Sequence, residues 1–365
     1  MTAKVHLIAA ARPNFMKIAP LYHALADQPW CRPSIVHTGQ HYDANMSDAF
    51  FRDLRLPRPH FHLEVGSGSH AQQTGGVMIA YEKVAQEQKP DWIVVVGDVN
   101  STLACALVGT KLWIPVAHLE AGLRSRDRRM PEEINRLATD AISDLLWTPS
   151  RDGDENLLAE GVPAERIELI GNVMIDSFEM MRATIEADGT RASYDLQPHR
   201  YAVVTLHRPS NVDSRETLGA IVDNLVRASQ RLPLVFPVHP RTRKCLQQFG
   251  LEAELLRSGA IKLVEPLGYV QFMNLVVNAA VVLTDSGGVQ EETTYLGIPC
   301  LTLRENTERP ITLTEGTNRL VSTENLLAAL DGALNASGGT HRRPALWDGK
   351  AAVRAADSLR RRLVT

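Results

Sequence analysis

Three carboxylates carry the strongest hint of chemistry: Asp98 in Val96-Gly97-Asp98, Glu120 in His118-Leu119-Glu120-Ala121-Gly122-Leu123-Arg124-Ser125, and Glu132 in Pro131-Glu132-Glu133-Ile134-Asn135-Arg136. Carboxylates gathered in a cleft repel one another and separate in pKa, so that one serves as acid and another as base near neutral pH. Glu133 reads differently, as an ordinary acid in a first helical turn that can pair with Arg136. His207-Arg208 and His239-Pro240 add imidazoles that could donate or take a proton. The run from Thr284 to Glu292 ends a strand in Ser286-Gly287-Gly288 and opens a helix, where unpaired N–H groups and the positive helix end converge. A diphosphate suits that point, and so does a plain glycine-rich turn. Gln290, Glu291 and Glu292 are expected in the first turn, where they complement the helix dipole. Glu292 could instead accept hydrogen bonds from ribose hydroxyls. Arg12 and Lys17 either face an anionic ligand or lie solvated on a helix whose apolar stripe is Phe15, Ile18, Leu21 or Tyr22, and Leu25, with Pro20 inside it predicting a kink. His60 and His62 have metal-ligand spacing, but no third ligand stands near them in sequence.

The elements that must position these residues are short apolar runs between segments of helical spacing, the pattern of βα units around buried parallel sheets. Candidate strands are Val5 to Ala10, Ser34 to Thr38, Trp92 to Val96, Val116 to Leu119, Leu145 to Thr148 and Ile167 to Ile170, then Tyr201 to Leu206, Leu234 to Val238, Ile261 to Val264, Val281 to Leu283 and Cys300 to Leu303. Between the two sets, Asp188 to Arg200 is polar and holds Gly189 and Pro198, as a linker would. Nearly every polar cluster falls just after a strand: Arg12 and Lys17 after the first, Gln40 and His41 after the second, Asp98 after the third, Glu120 after the fourth. The second set repeats this with His207-Arg208, His239, Asp285 to Gly288, and Arg304 to Arg309. Two doubly wound α/β domains follow, with the interdomain cleft as the expected site, because ligands bind at the carboxyl ends of such strands. No GxGxxG follows the first strand and no GxxxxGK[ST] occurs, which argues against a dinucleotide oxidoreductase and a P-loop NTPase.

Length and composition agree. The chain has 365 residues, enough for two domains at about 150 residues each. Its formal net charge of −3 gives no case for broad binding to nucleic acid or anionic membrane. With 44% hydrophobic and 22% charged residues it reads as globular, not disordered. No segment approaches the roughly 18 apolar residues of a membrane span, and the four scattered cysteines fit a cytoplasmic chain with inert thiols.

Taken together these segments resemble the non-hydrolysing UDP-N-acetylglucosamine 2-epimerases. The matching pieces run in order from Ala10 to about Asn318: Arg12-Pro13 with Lys17, Thr38-Gly39-Gln40-His41, Gly97-Asp98 with Ser101, His118 to Ser125, Pro131-Glu132-Glu133 with Asn135-Arg136, Gly171-Asn172 with Asp176, His207-Arg208, Pro237-Val238-His239-Pro240, Thr284 to Glu292, and Thr307-Glu308-Arg309-Pro310. The resemblance implies a glycosyltransferase-B type arrangement of two Rossmann-like domains, residues 1–187 and 201–345, joined by a linker at 188–200. Residues 346–365 would supply a C-terminal helix, from about Asp348 to Leu363, that crosses back to the first domain. It further implies interconversion of UDP-N-acetylglucosamine and UDP-N-acetylmannosamine by a homodimer without metal or nicotinamide cofactor.

By the same resemblance Asp98, Glu120, Glu132 and His207 form the acid/base set. Arg12, Lys17, Ser286, Gly287, Gly288 and Arg309 hold the leaving diphosphate, with Glu292 on the ribose and Phe272 near the uracil. Some positions depart from the family: Ala10-Ala11 for Gly-Thr, Val99 for Thr, and His207-Arg208-Pro209-Ser210-Asn211 for His-Arg-Arg-Glu-Asn. Asp43 and Ser67 to Gln73 lack the Gln and Arg of members with a second, activating UDP-N-acetylglucosamine site, so that regulation is not expected here. The alternatives are a hydrolysing epimerase, an epimerase for a related UDP-acetamido sugar, a UDP-sugar glycosyltransferase and a non-catalytic nucleotide-sugar-binding protein, the last having no use for three carboxylates.

Overall fold

The computed structural model describes residues 2–39, 51–336 and 342–363. The chain divides into two compact units, Met1–Met180 with Ala345–Thr365, and Met181–Pro344. Gln40 to Asp43 lie outside the described residues.

The first unit is built on β1 (Ala3–Ala9), β2 (Cys31–His37), β3 (Phe61–His62), β4 (Trp92–Val96), β5 (Val116–Leu119), β6 (Leu145–Thr148) and β7 (Ile167–Leu169). They form one sheet in the order β3-β2-β1-β4-β5-β6-β7, parallel at every pair. Helices cover both faces, so a central strand such as β4, Trp-Ile-Val-Val-Val, is buried throughout and needs no polar alternation. Phe15, Ile18, Leu21 and Leu25 line the buried side of the helix Arg12–Ala26, which runs on through Pro20. Each such side chain contributes about 1.5–3 kcal/mol of burial. The winding direction reverses between β1 and β4, and this switch point is where ligands collect in open α/β sheets.

The helix Ala351–Leu363 belongs to this unit. Its first two N–H groups donate to Asp176 at 3.1 and 2.7 Å, Trp147 Nε1 donates to Ser358 at 3.0 Å, and Trp347 Nε1 donates to the Pro149 carbonyl at 2.9 Å. It begins three residues after the expected Asp348, because Gly349 takes φ +75° and Asp348 accepts the Lys350 N–H, forming a turn there.

The second unit carries β8 (Ala202–Thr205), β9 (Leu234–Pro237), β10 (Ile261–Val264), β11 (Val281–Thr284), β12 (Cys300–Leu303) and β13 (Asn318–Val321). Their order is β10-β9-β8-β11-β12-β13, again all parallel, with its switch point between β8 and β11. Val204, Leu206, Leu225, Phe236 and Leu283 sit in its core.

Three features differ from the sequence expectation. The edge strands β3 and β13 are extra; each is short and partly exposed, so neither reads as an apolar run. The stretch from Asp188 to Arg200 is packed, not a free linker: it holds the helix Thr190–Ser193, and Asn274 accepts the Arg191 N–H at 2.9 Å while donating to the carbonyls of Ile185 and Asp188. Lastly, the helix after β11 begins at Gly287, which moves Glu291 and Glu292 into its second turn and out of capping range.

Candidate active site

At the first switch point Gly97 follows β4 with φ +67°, a backbone state open to glycine. Its α-carbon faces a pair of charged groups, and a Cβ there would stand 3.2 Å from Lys17 Nζ and 3.4 Å from Glu120 Oε2. Lys17, from the helix after β1, and Glu120, from the turn after β5, form a largely buried ion pair. Glu120 itself takes φ +76°, a conformation disfavoured for a residue with a Cβ. It is held by two N–H groups, its own and that of Ala121, which donate to the Trp147 carbonyl at 3.1 and 3.0 Å. Lys17, expected on a diphosphate, is thus engaged with Glu120, itself expected in the acid/base set.

Asp98 accepts a hydrogen bond from Arg136 at 2.6 Å, and its carbonyl accepts one from Asn135 at 2.9 Å. Arg136 also donates to Glu133 at 2.6 Å, and Glu133 accepts the N–H groups of Ser125 and Arg126 at 2.9 and 2.8 Å. Burial would raise the Glu133 pKa, but these donors and the Arg136 charge hold it below the ordinary value, so it is a structural clamp, as its place at a helix start suggested. Glu132 is exposed. Asn135 and Arg136 lie three and four residues on, so Glu132 shares the helix face that meets Asp98. Arg12, at the start of the first helix, is also exposed.

At the second switch point Asp285, fully buried after β11, gathers four donors. These are the N–H groups of His207 and Arg208, at 3.0 and 2.9 Å, the Asn211 amide at 3.0 Å, and His207 Nδ1 at 2.8 Å. Burial would raise its pKa, yet His207, Arg208 and Asn211 hold it below the ordinary carboxylate value. Asp285 therefore fixes one ring nitrogen of His207 and leaves Nε2 directed elsewhere, the arrangement that prepares an imidazole for proton transfer. The His239 ring stands 5.7 Å from that of His207, and burial together with His207 holds its pKa low.

The helix Gly287–Leu296 starts beside this pair, with Ser286 at its N-cap making no side-chain capping bond. Its first N–H groups have no partner within the helix, and a Cβ at Gly288 would meet no heavy atom within 4 Å. Arg309 packs against Gly287 so closely that a Cβ there would come within 2.5 Å of its guanidinium. Arg309 pairs with Glu291 at 3.0 Å and with Glu308, which Arg304 also binds at 2.7 Å, with Arg208 at 3.8 Å. The expected diphosphate-binding Arg309 is hence a member of a cluster of three arginines and two glutamates at the helix start. Glu292 accepts from the Tyr269 hydroxyl at 2.7 Å, and burial pushes its carboxyl up to about 7 against that bond. Phe272, half-buried, lies on the same helix as Tyr269.

The structure therefore brings together Lys17, Glu120 and Asp98 in the first unit, with Glu132 on an adjoining helix face, and His207, Ser286, Gly287, Gly288 and Arg309 in the second. Asp285, Arg136, Asn135, Tyr269 and Glu308 complete these groups; the first four act on partners distant in sequence, which a reading along the chain does not show. His60 Nδ1 accepts the Ile35 N–H at 3.0 Å, and among the described residues no cluster of three His, Cys, Asp or Glu side chains could hold a metal. No helix among the described residues is long and apolar enough to cross a membrane.

Two doubly wound parallel sheets, one with carboxylates at its switch point and the other with a glycine-rich helix start and a His–Asp pair, define the class, a doubly wound α/β protein with titratable groups at its strand ends. A family model described as UDP-N-acetylglucosamine 2-epimerase matches residues 23–360. A UDP-N-acetylglucosamine 2-epimerase of Methanocaldococcus jannaschii is 44% identical over 341 residues, 91% of this chain and 92% of that protein. A UDP-2,3-diacetamido-2,3-dideoxy-D-glucuronate 2-epimerase of Pseudomonas aeruginosa is 42% identical over 323 residues, 87% of this chain and 88% of that protein. The crystal structure of the Methanocaldococcus jannaschii UDP-GlcNAc 2-epimerase in complex with UDP-GlcNAc and UDP is similar at a TM-score of 0.89 and 42% identity, covering 98% of this chain and 99% of that one. The chain belongs to the UDP-N-acetylglucosamine 2-epimerase family, a family of isomerases.

Proposed function

We propose that this protein interconverts UDP-N-acetylglucosamine and UDP-N-acetylmannosamine through elimination and re-addition of UDP, in the cytoplasm and as a homodimer, to supply N-acetylmannosamine units for surface polysaccharide. The observation that carries this reading is the position of Asp98 and Glu120 on adjoining strand ends, each with a cationic partner, in a chain of this family.

The C2 proton of the sugar is not acidified by a carbonyl. Breaking the bond from C1 to the diphosphate oxygen first builds positive charge at C1, which acidifies C2–H; loss of that proton gives 2-acetamidoglucal and UDP. Return of a proton to the opposite face of C2, and of the diphosphate oxygen to C1, gives the epimer. Asp98, Glu120, Glu132 and His207 form the acid/base set, with Asp285 holding the His207 ring and Lys17 and Arg136 holding the carboxylates. The N–H groups at Gly287 and Gly288, with Ser286, Arg309 and Arg12, take the charge that grows on the departing diphosphate. Glu292 accepts from the ribose hydroxyls, and Phe272 lies along the uracil.

A second reading, epimerisation of a UDP-diacetamido uronic acid, draws support from the 42% identical Pseudomonas aeruginosa relative. Separation of nucleotide sugars from free sugars after incubation with UDP-N-acetylglucosamine tests both. UDP-N-acetylmannosamine with no free sugar is expected. Free N-acetylmannosamine with UDP would show a hydrolysing enzyme, and conversion of the diacetamido uronate alone would favour the second reading.

A further inference from the structure

Both ring nitrogens of the buried His118 face acceptors. Nδ1 lies 2.6 Å from Asp140 Oδ1, and Nε2 lies 2.8 Å from the carbonyl of Gly97. A carbonyl cannot donate, so Nε2 must carry a hydrogen. The other oxygen of Asp140 receives the Gly122 N–H at 3.1 Å and the Arg124 guanidinium at 2.7 Å. An oxygen that takes both an N–H and a guanidinium belongs to a carboxylate, so Oδ1 accepts on the His118 side too and Nδ1 also carries a hydrogen. Arg124 is balanced in turn by Glu160 through two bonds of 2.8 and 2.7 Å. The chain His118, Asp140, Arg124, Glu160 alternates in sign and sums to zero.

The two ends of this network are the turns that bear the carboxylates. Gly97 adjoins Asp98, and Gly122 closes the turn that begins at Glu120. Gly97, Glu120 and Gly122 take φ of +67°, +76° and +80°, states open to glycine but one that at Glu120 persists only where surrounding bonds hold it. At Gly122 a Cβ would fall 2.5 Å from the Gly153 carbonyl oxygen, so that turn has no room to relax.

We propose that His118, as a buried imidazolium paired with Asp140, is a positioning residue that fixes the spacing of the Asp98 and Glu120 turns. It touches no substrate. The proposal rests on the epimerase reading for its catalytic consequence, but its protonation state does not.

The test has two parts. With the protein labelled with 15N-histidine at pH 7.5, and the His118 signals assigned by their loss in His118→Gln, both ring nitrogens should show shifts of the protonated kind; an unprotonated shift for either overturns the imidazolium. In steady-state kinetics, His118→Gln and Asp140→Asn should each lower kcat roughly ten- to hundredfold while KM stays within about threefold. An unchanged kcat, or a loss confined to KM, overturns the positioning role. If His118→Gln fails to fold, the His118 signals are assigned instead by their displacement in Asp140→Asn, which also carries the kinetic test. A wild-type protein without epimerase activity overturns the functional reading, while the nitrogen shifts judge His118 on their own.

Discussion

The ion pair of Lys17 and Glu120 lies against the α-carbon of Gly97, joining the ends of three different chain segments at one point. Gly97→Ala would place a methyl group against both charged groups and hold alanine at φ +67°. The left-handed conformation alone costs about 1–2 kcal/mol. The expected outcome is a lower denaturation midpoint together with a fall in kcat as the pair is pushed apart. Wild-type values for both would show that the pair has room to move.

Removing the charge from the carboxylates separates chemistry from binding. Asp98→Asn and Glu120→Gln are expected to abolish turnover while leaving the Kd for UDP within about tenfold, roughly 1.4 kcal/mol. Calorimetric titration with UDP checks this. A collapse of UDP binding in either variant would reassign that residue to ligand positioning.

Glu292 supplies a pH dependence. Its carboxyl titrates at about 7 because burial disfavours the ion, and the ionised form is the one that accepts from ribose hydroxyls. Affinity for UDP-N-acetylglucosamine should therefore rise as pH increases from 6 to 8, by up to about tenfold per unit below the pKa. Binding is measured in the Asp98→Asn background to prevent turnover. Glu292→Gln should be weaker at pH 8 and flat across the range; a rise that survives in Glu292→Gln would place the titration elsewhere.

Asp176 affects stability with a sign that can be worked out. Burial raises its folded-state pKa to about 6, against an unfolded value of about 3.9, despite the Ala352 and Ala351 N–H groups that favour the ion. The folded chain thus binds the extra proton between these values. The contribution is present below about pH 4 and is lost as pH rises through about 6, on the order of 1–3 kcal/mol. Denaturation midpoints from pH 4 to 7 should fall less steeply in Asp176→Asn than in the wild type, and parallel curves would contradict the assignment.

The parts of this structure that are local in sequence were legible in it. An apolar run followed at once by Arg12, Gly97-Asp98, Glu120 or Ser286-Gly287-Gly288 announces a strand end with its polar cluster, and each of these stands at or next to a switch point. What joins distant residues was not legible: Asp285 to His207, Arg136 to Asp98, and Lys17 to Glu120 depend on which strands lie side by side. Neither was the φ of Glu120, since the residue type argues against it. Glu291 and Glu292 read as first-turn residues only if the helix starts after the glycine pair; it starts at Gly287, which sets both in the second turn. Asp188 to Arg200 has linker composition, and it is groups far along the chain, Asn274, Asn278 and Lys262, that show why it packs.

Epimerisation through 2-acetamidoglucal requires proton exchange at C2, and a proton NMR time course with UDP-N-acetylglucosamine in heavy water reads that exchange directly. UDP-N-acetylmannosamine is expected to accumulate with deuterium at C2 and without free sugar. Product that keeps the original protium at C2 would contradict it.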